Sequence, residues 1–355
     1  MHKISKVEKR NGILKTISND FYGAYWYNYQ EVEAVSRIIN NKSPFRYYGS
    51  NMLNETEKFE ENCRQYFGVK YAHALNSGTG ALMCALHALG VGPGDEVIIP
   101  GYFFSAVYSS ILLRGAIPVL GEIDETLNLD PDDFEKKITH KTKCVIVIHM
   151  DGVPARVEQI MNISHRKGIC VIEDFSQCIG GIVNGNKLGS FGDVAITSLQ
   201  LNKMITSGEG GLLLTNNEHY YHKAVARSDI GFQRIDRELN SLNTNPFLTY
   251  GEGRRFSEIG SAIMNVQLIK LDAILEKMKK TKQLIKQRLG DITPIKFKTI
   301  IDENGDIGST LTLIFESEKQ SDIFLDVYSN LCPNGEMKLF RHSEWAIMYI
   351  IIVQI

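Results

Sequence analysis

Short apolar segments recur along this chain, and stretches with helical periodicity separate most of them. The apolar segments lie at 96–99, 117–120, 144–148, 169–172, 194–198 and 211–215. The helical patterns cover 55–67, 81–89, 132–138 and 157–167. This alternation predicts an α/β fold, with a mixed, mainly parallel sheet covered by helices. We expect the segment at 210–216 to run antiparallel, as part of a hairpin.

The chain is longer than one typical hydrophobic core. Its 355 residues predict a large domain and a smaller one. We place a polar and aromatic N-terminal arm at 1–50, a large domain at 51–270 and a small C-terminal α/β domain at 271–355. An amphipathic stretch at 257–289 is expected to form the helix that links the two domains.

The C-terminal run at 345–355 is apolar and β-prone, and it is too short to span a membrane. It has two interpretations. It is a final strand of the small domain, or it is a foreign ending left by truncation or a frameshift. Under the second interpretation, the small domain is truncated and the run is prone to aggregation.

Charge and cysteine content argue against several classes of protein. A net charge of -2 at pH 7 suggests no nucleic-acid or anionic-membrane partner. No stretch reaches the ~20 apolar residues of a membrane span, and the N-terminus lacks the apolar core of a secretory signal. The six cysteines show neither a metal-binding spacing nor a disulfide framework, so we expect no metal site. These features predict a cytoplasmic protein.

Lys203 and Asp174 each follow an apolar strand segment. Lys203 comes after 194–198 and before the turn Gly208-Glu-Gly-Gly211, and Asp174 comes after 169–172. In isolation each has an ordinary explanation, as a solvated surface lysine and a turn-forming aspartate. Together they face one crevice in a parallel sheet. A lysine that forms a Schiff base and a nearby acid are the pair that pyridoxal phosphate needs.

Seven segments in the same order make the chain similar to the DegT/DnrJ/EryC1/StrS family of sugar aminotransferases. They are Ser-Gly-Thr-Gly-Ala-Leu at 77–82, Gly-Asp-Glu-Val-Ile-Ile-Pro at 94–100, Gly-Ala-Ile-Pro-Val at 115–119, Glu-Asp-Phe-Ser-Gln at 173–177, Gly-Ser-Phe-Gly-Asp at 189–193, Lys203, and Gly-Glu-Gly-Gly at 208–211. The resemblance covers about 40–290.

This resemblance implies an enzyme of fold type I with pyridoxal 5'-phosphate as cofactor. It implies a homodimer with shared active sites that moves an amino group from an amino acid, with L-glutamate as the expected donor, to a keto-sugar. The sugar is expected to be nucleotide-linked or a Kdo-type acid sugar, in polysaccharide or antibiotic-sugar biosynthesis.

The resemblance also assigns roles to residues that contact the ring of the cofactor. Lys203 resembles the lysine that binds the cofactor and later acts as the general base. Asp174 resembles the acid that pairs with the pyridine nitrogen, and Gln177 the residue that contacts the phenolic oxygen. Phe104 lies where the family places an aromatic ring stacked on the pyridine.

The phosphate of the cofactor is assigned to a second group of residues. Gly78, Thr79 and Gly80 open a helix, and a helix N-terminus offers N–H groups to a phosphate. Ser198 resembles a serine that adds a hydroxyl to the same phosphate.

The chain departs from the family pattern at Gly253, where the family has an asparagine that reaches the phosphate of the partner subunit. Two outcomes are open: Arg254 of the partner subunit replaces that asparagine, or the phosphate site is weaker and completed by solvent. His149 and His342 are each either substrate contacts or packing residues.

Two alternatives to an aminotransferase remain open. One is a sugar dehydratase with the same cofactor, although those relatives replace the lysine with histidine and Lys203 argues against this. The other is a catalytically inactive regulator that binds the cofactor, and it is supported by Gly253 and the short C-terminus.

Overall fold

The structure, a computed structural model, describes residues 22–231, 249–290 and 296–331. It also describes Phe247 and short strand segments at 9–10, 13–14, 234–235, 238–239, 339–341 and 349–354. His342 lies outside the described residues. Within them, no helix is long and apolar enough to cross a membrane.

Helices and strands alternate through most of the described chain. The helices are α1 Tyr22–Tyr25, α2 Tyr29–Asn41, α3 Glu55–Phe67, α4 Gly78–Ala88, α5 Ala106–Leu113, α6 Pro131–Lys137, α7 Val157–Lys167, α8 Glu218–Ser228, α9 Glu258–Leu289 and α10 Glu318–Leu331, with a 3-10 turn at Met150–Gly152. The strands are β1 Lys9–Arg10, β2 Ile13–Leu14, β3 Tyr71–Leu75, β4 Glu96–Pro100, β5 Ile117–Gly121, β6 Thr142–Ile148, β7 Cys170–Asp174, β8 Ile182–Val183, β9 Asn186–Lys187, β10 Val194–Ser198, β11 Gly211–Thr215, β12 Arg234–Ile235, β13 Glu238–Leu239, β14 Lys296–Phe297, β15 Thr310–Phe315, β16 Leu339–Arg341 and β17 Tyr349–Gln354.

A seven-stranded sheet with the order β3-β11-β10-β7-β6-β4-β5 forms the centre of the molecule. The pairs from β10 to β5 are parallel, and β11 runs antiparallel to both of its neighbours. This confirms the predicted mainly parallel sheet, including the antiparallel segment at 210–216. The strand β3 was not among the predicted segments, and it fills the edge position beside β11.

Helices cover both faces of this sheet, and alternate residues of each strand join different cores. On β7, Val171 belongs to the core under α3, α7 and α9, whereas Ile172 belongs to the core under α4 and α5. The same alternation separates Glu173 from Asp174. It places the Asp174 side chain on the α4 side of the sheet.

The helix α9 runs for 32 residues and starts at an N-cap, where the Ser257 side chain accepts the N–H of Gly260. It packs on α2 and α3, and it also contacts β15 of a second, four-stranded sheet with the order β14-β15-β17-β16. Most of the C-terminal run forms β17, between β15 and β16. A strand in this sheet was the first of its two interpretations. The domain boundaries stay predictions.

Candidate active site

A cavity of about 390 Å³ lies where the parallel strands end. Ile148, Asp174 and Ser198 are the last residues of β6, β7 and β10, and all three line it. The N-terminus of α4 and the segment after β10 form further walls. The carboxyl ends of parallel strands are where open α/β sheets bind ligands. This cavity is therefore the candidate active site.

Lys203 lines the cavity from the segment between β10 and β11. Its backbone is held from two sides. Its N–H donates to the Gln200 carbonyl at 3.0 Å, and its carbonyl accepts the N–H of Gly23 at 3.1 Å. Burial lowers the pKa of the Lys203 amine, and the Asp174 carboxylate opposes that shift. A lower pKa enlarges the fraction of neutral amine, which is the form that attacks a carbonyl.

Asp174 faces the same cavity and is only 6% exposed. Its carboxylate accepts the N–H of Ser176 at 3.0 Å. Burial raises the pKa of Asp174, and hydrogen bonds from Ser176 and the charge of Lys203 offset part of that shift. A nearby cation stabilises the charged form of a buried carboxylate. Asp174 is therefore suited to a protonated ring nitrogen.

Glu173, the neighbour of Asp174 on β7, points into the opposite core and has a structural role. Its carboxylate accepts the N–H groups of Gly189, Phe191 and Gly192 at 2.6, 2.9 and 3.1 Å. His149 is fully buried beside it, with Nε2 3.3 Å from the Glu173 carboxylate and Nδ1 accepting the Ala155 N–H at 2.9 Å. These contacts make His149 a packing residue, which was the second of its two interpretations.

The N-terminus of α4 forms the end of the cavity that we assigned to a phosphate. Ser77 caps the helix, because its Oγ accepts the N–H of Gly80 at 2.9 Å. The Gly80 N–H is therefore already hydrogen-bonded, and Gly80 is not among the residues that line the cavity. Gly78 and Thr79 do line it. Their N–H groups precede the first intrahelical bond and are thus the two amides suited to an anion.

Ser198 lies directly against this helix terminus. A Cβ added to Gly78 would lie 2.7 Å from the Ser198 Cβ, so only glycine permits this contact. The Ser198 N–H donates to the Ser176 Oγ at 2.9 Å, which joins the ends of β7 and β10. The Ser198 Oγ accepts the Gln200 N–H at 3.3 Å and keeps its own O–H for a ligand.

Gln177 and Phe104 line the remaining part of the cavity. The Gln177 Oε1 accepts the N–H of Asp151 at 3.0 Å. With that oxygen engaged, the amide nitrogen is the group that Gln177 offers to a ligand oxygen. Phe104 lies just before α5 and is 66% exposed, so its ring is available to cover a flat ligand.

The segment around Gly253 lies outside the residues that line the cavity. Arg254 pairs with Glu252, and its side chain lies 3.3 Å from a Cβ built on Gly80 of the same chain. Arg255 pairs with the buried Asp229. The Arg254 guanidinium is thus engaged within its own chain. Whether it reaches a partner's phosphate stays a prediction.

Sequence reasoning missed three polar residues that line the cavity beside Lys203, which are Gln200, Asn202 and Glu209. Their position within the Lys203 segment was a signal for the first two. Glu209 belongs to the turn at 208–211, and its side chain is exposed at the cavity. Amide and carboxylate groups of this kind suit a ligand with several hydroxyl groups.

The groups around the cavity fit pyridoxal phosphate. The cavity contains an amine for the aldehyde of the cofactor, a buried carboxylate for its ring nitrogen, and helix amides with a hydroxyl for its phosphate. When bound, this cofactor supplies the electron sink that allows an amino group to leave one molecule and join another. The chain supplies the position and the charge environment.

Curated proteins with similar sequences include a GDP-perosamine synthase and an aminotransferase. GDP-perosamine synthase of Vibrio cholerae is 32% identical over 289 residues, which are 81% of this chain and 74% of that protein. The L-glutamine:2-deoxy-scyllo-inosose aminotransferase of Streptomyces kanamyceticus is 32% identical over 274 residues, which are 74% of this chain and 62% of that protein.

Solved structures share the fold. The E. coli GDP-4-keto-6-deoxy-D-mannose-3-dehydratase with bound hydrated PLP has a TM-score of 0.78 at 21% identity, and the match covers 91% of this chain and 85% of that one. At this identity the likeness concerns the fold alone, and it confirms the predicted fold type I architecture.

A model of the DegT/DnrJ/EryC1/StrS aminotransferase family matches residues 30–327, which is most of the chain. Together with the names of the relatives, the match indicates a sugar aminotransferase that depends on pyridoxal phosphate. The chain belongs to the DegT/DnrJ/EryC1/StrS aminotransferase family.

Proposed function

We propose that this protein transfers an amino group from an amino acid to a keto-sugar, with pyridoxal phosphate held on Lys203. The observation that carries the proposal is that Lys203 and Asp174 line one cavity with the N-terminus of α4. The two side chains come from segments far apart in the chain, and only the sheet brings them together. An amine and an acid around a site for an anion are the groups that this cofactor requires.

Each group in the cavity has a task in this reaction. The Lys203 Nζ, once the amino donor has replaced it, is the base that takes the α-proton of the donor. Its lowered pKa suits that task, because a base must be unprotonated at the working pH. Asp174 keeps the ring nitrogen protonated, and Gly78, Thr79 and Ser198 hold the phosphate.

The substrate is proposed to be a nucleotide-linked keto-hexose, and the donor L-glutamate. The name of the Vibrio cholerae relative supports the first point, and the polar side chains of Gln200, Asn202 and Glu209 are suited to sugar hydroxyls. A Kdo-type acid sugar is the other candidate acceptor. L-glutamine is the other candidate donor, since the Streptomyces kanamyceticus relative is named for it.

We also propose a cytoplasmic homodimer with shared active sites, which acts in polysaccharide or antibiotic-sugar biosynthesis. The exposed Phe104 ring at the cavity supports a second copy that covers the site. Sedimentation of the purified protein would give its mass in solution. A monomer with full activity would contradict the dimer.

Reduction of the purified protein with borohydride tests the assignment of Lys203. The protein is expected to absorb visible light, and reduction should fix the cofactor on the peptide that contains Lys203. Lys203→Ala should lose this labelling and the transfer of nitrogen. Label on a different lysine would contradict the assignment.

A panel of keto-sugars with L-glutamate or L-glutamine then tests the reaction, with product mass as the readout. An aminotransferase gives a product that contains the donor nitrogen, and 15N-labelled donor would mark it. The dehydratase alternative gives a product in which a hydroxyl group has been replaced by hydrogen and which has gained no nitrogen. A protein that binds the cofactor and turns over no acceptor would support the inactive regulator.

A further inference from the structure

Asp151 lies behind the wall of the cavity in a left-handed backbone conformation, with φ 55° and ψ 39°. Few residues other than glycine adopt it, and aspartate and asparagine tolerate it best. In this conformation the Asp151 N–H points at the Gln177 Oε1, at 3.0 Å. The turn at Asp151 therefore sets which end of the Gln177 amide faces the cavity.

The Asp151 carboxylate is buried and takes part in two contacts. The Tyr102 hydroxyl donates to its Oδ2 at 3.4 Å, and the Lys298 Nζ lies 3.8 Å from the same oxygen. Lys298 is 5% exposed and also donates to the Met150 carbonyl at 3.1 Å. Burial lowers the pKa of Lys298, and Asp151 opposes that shift. Asp151 and Lys298 thus form a buried charge pair, with Asp151 in the turn itself.

The backbone of the turn is fixed against the segment that leads into β15. Thr310 Oγ1 donates to the Asp151 carbonyl at 2.6 Å, and the Ile307 N–H donates to the Gly152 carbonyl at 3.0 Å. Gly152 has φ +74°, and a Cβ on it would lie 2.3 Å from the Ser309 Oγ. The turn therefore has little freedom to rotate away from Gln177.

We propose that Asp151 is a positioning residue, which Lys298 and Tyr102 clamp so that the Gln177 Nε2 is presented to the phenolic oxygen of the cofactor. The inference rests on the proposed function, because Gln177 is assigned to that oxygen there. Tyr102 is two residues before Phe104, so the same clamp also anchors the segment that carries the stacking ring.

The proposal has a measurable consequence for the cofactor bound to Lys203, which is the chromophore that absorbs visible light. A hydrogen bond donated to an anionic oxygen favours the deprotonated form and lowers its pKa. If the clamp is released, the Gln177 amide loses its fixed direction and that bond weakens. The apparent pKa of the chromophore should then rise.

The test is a spectrophotometric pH titration of the holoenzyme in four single variants. Asp151→Ala and Lys298→Met should each raise the apparent pKa by about 0.5 to 1 unit, which is the scale of one hydrogen bond. Asp151→Asn keeps the left-handed turn and should lie between the wild type and Asp151→Ala. Arg46→Met is the matched control, because the Arg46 side chain is also buried, pairs with Glu60 on α3 and donates to the Ala74 carbonyl on β3. It should leave the titration unchanged.

A double-mutant cycle separates positioning from a general effect on the fold. Gln177→Ala should raise the apparent pKa by itself, and Asp151→Ala added to it should produce no further shift. Shifts that add, an unchanged titration in Asp151→Ala, or an equal shift in Arg46→Met would each overturn the inference. A wild-type protein that forms no chromophore would overturn the proposed function as well, which distinguishes the two failures.

Discussion

A methyl group on Gly78 would lie 2.7 Å from the Cβ and 3.0 Å from the Cα of Ser198, so the start of α4 touches the end of β10. The two residues that we assign to the phosphate therefore hold each other in place. The amide comes from a helix N-terminus and the hydroxyl from a strand end. No side chain at position 78 is compatible with this contact unless the helix moves.

Gly78→Ala is expected to displace the helix terminus and to weaken cofactor binding. Overpacking of this kind costs about 1–3 kcal/mol, and equilibrium binding of pyridoxal phosphate would measure it. Gly92→Ala is the matched control, since no atom lies within 4 Å of a Cβ built there. Gly92→Ala should bind the cofactor normally. Equal affinity in both variants would contradict the role of the contact.

Asp174→Asn is expected to retain the cofactor and to lose most of the transfer activity. The neutral amide cannot hold a proton on the ring nitrogen, and loss of one charged partner at a reacting centre costs about 100-fold or more in kcat. Steady-state rates together with bound-cofactor absorbance would show this. Near-normal turnover in this variant would place the ring nitrogen elsewhere.

Gly253→Asn is expected to fold normally and to bind the cofactor more tightly. Gly253 has φ +66°, which asparagine tolerates, and the nearest atom to a built Cβ is 3.8 Å away. A restored amide that bonds a charged phosphate from the partner subunit is worth about 1.5–3 kcal/mol. Gly253→Ala lacks the amide and serves as control. If both variants bind the cofactor equally, the asparagine has no such role here.

The same binding assay tests whether Arg254 contacts the phosphate of the cofactor. Because the Arg254 guanidinium pairs with Glu252 and the Arg254 Cδ lies against α4 of the same chain, we expect Arg254→Ala to change cofactor affinity less than Gly253→Asn does. A loss of about 1.5–3 kcal/mol in Arg254→Ala would instead show that this arginine contacts the phosphate.

The stability of the apoenzyme should depend on pH through Lys203. Its folded-state pKa is lower than 10.5, so between those two values the unfolded chain binds more protons and folding becomes more favourable as pH rises. Lys203→Met removes this dependence. Its thermal midpoint should exceed that of the wild type near neutral pH, and the difference should shrink towards pH 10.5. A constant difference across that range would contradict the shift. Lys136→Met, at an exposed position, provides the control.

The sequence by itself predicted six strands of the central sheet, although not β3, and it predicted that Lys203 and Asp174 face one crevice, where the structure places both. Strand segments such as 144–148 are continuous runs of apolar residues, because strands of a parallel sheet are buried on both faces. Lys203 and Asp174 could be paired from sequence for a related reason. The ends of neighbouring parallel strands meet at one edge of the sheet, whatever the details of packing.

The tertiary structure alone decided how each polar group is used. The Asp151 N–H donates to the Gln177 oxygen, and the Glu173 carboxylate accepts three backbone N–H groups and contacts His149. Hydrogen bonds of this kind join residues that lie far apart in the chain or on adjacent turns with fixed geometry. They depend on distances of a few ångström and on bond directions. Residue patterns record which side chains are buried, and only the packed chain fixes which donor meets which acceptor.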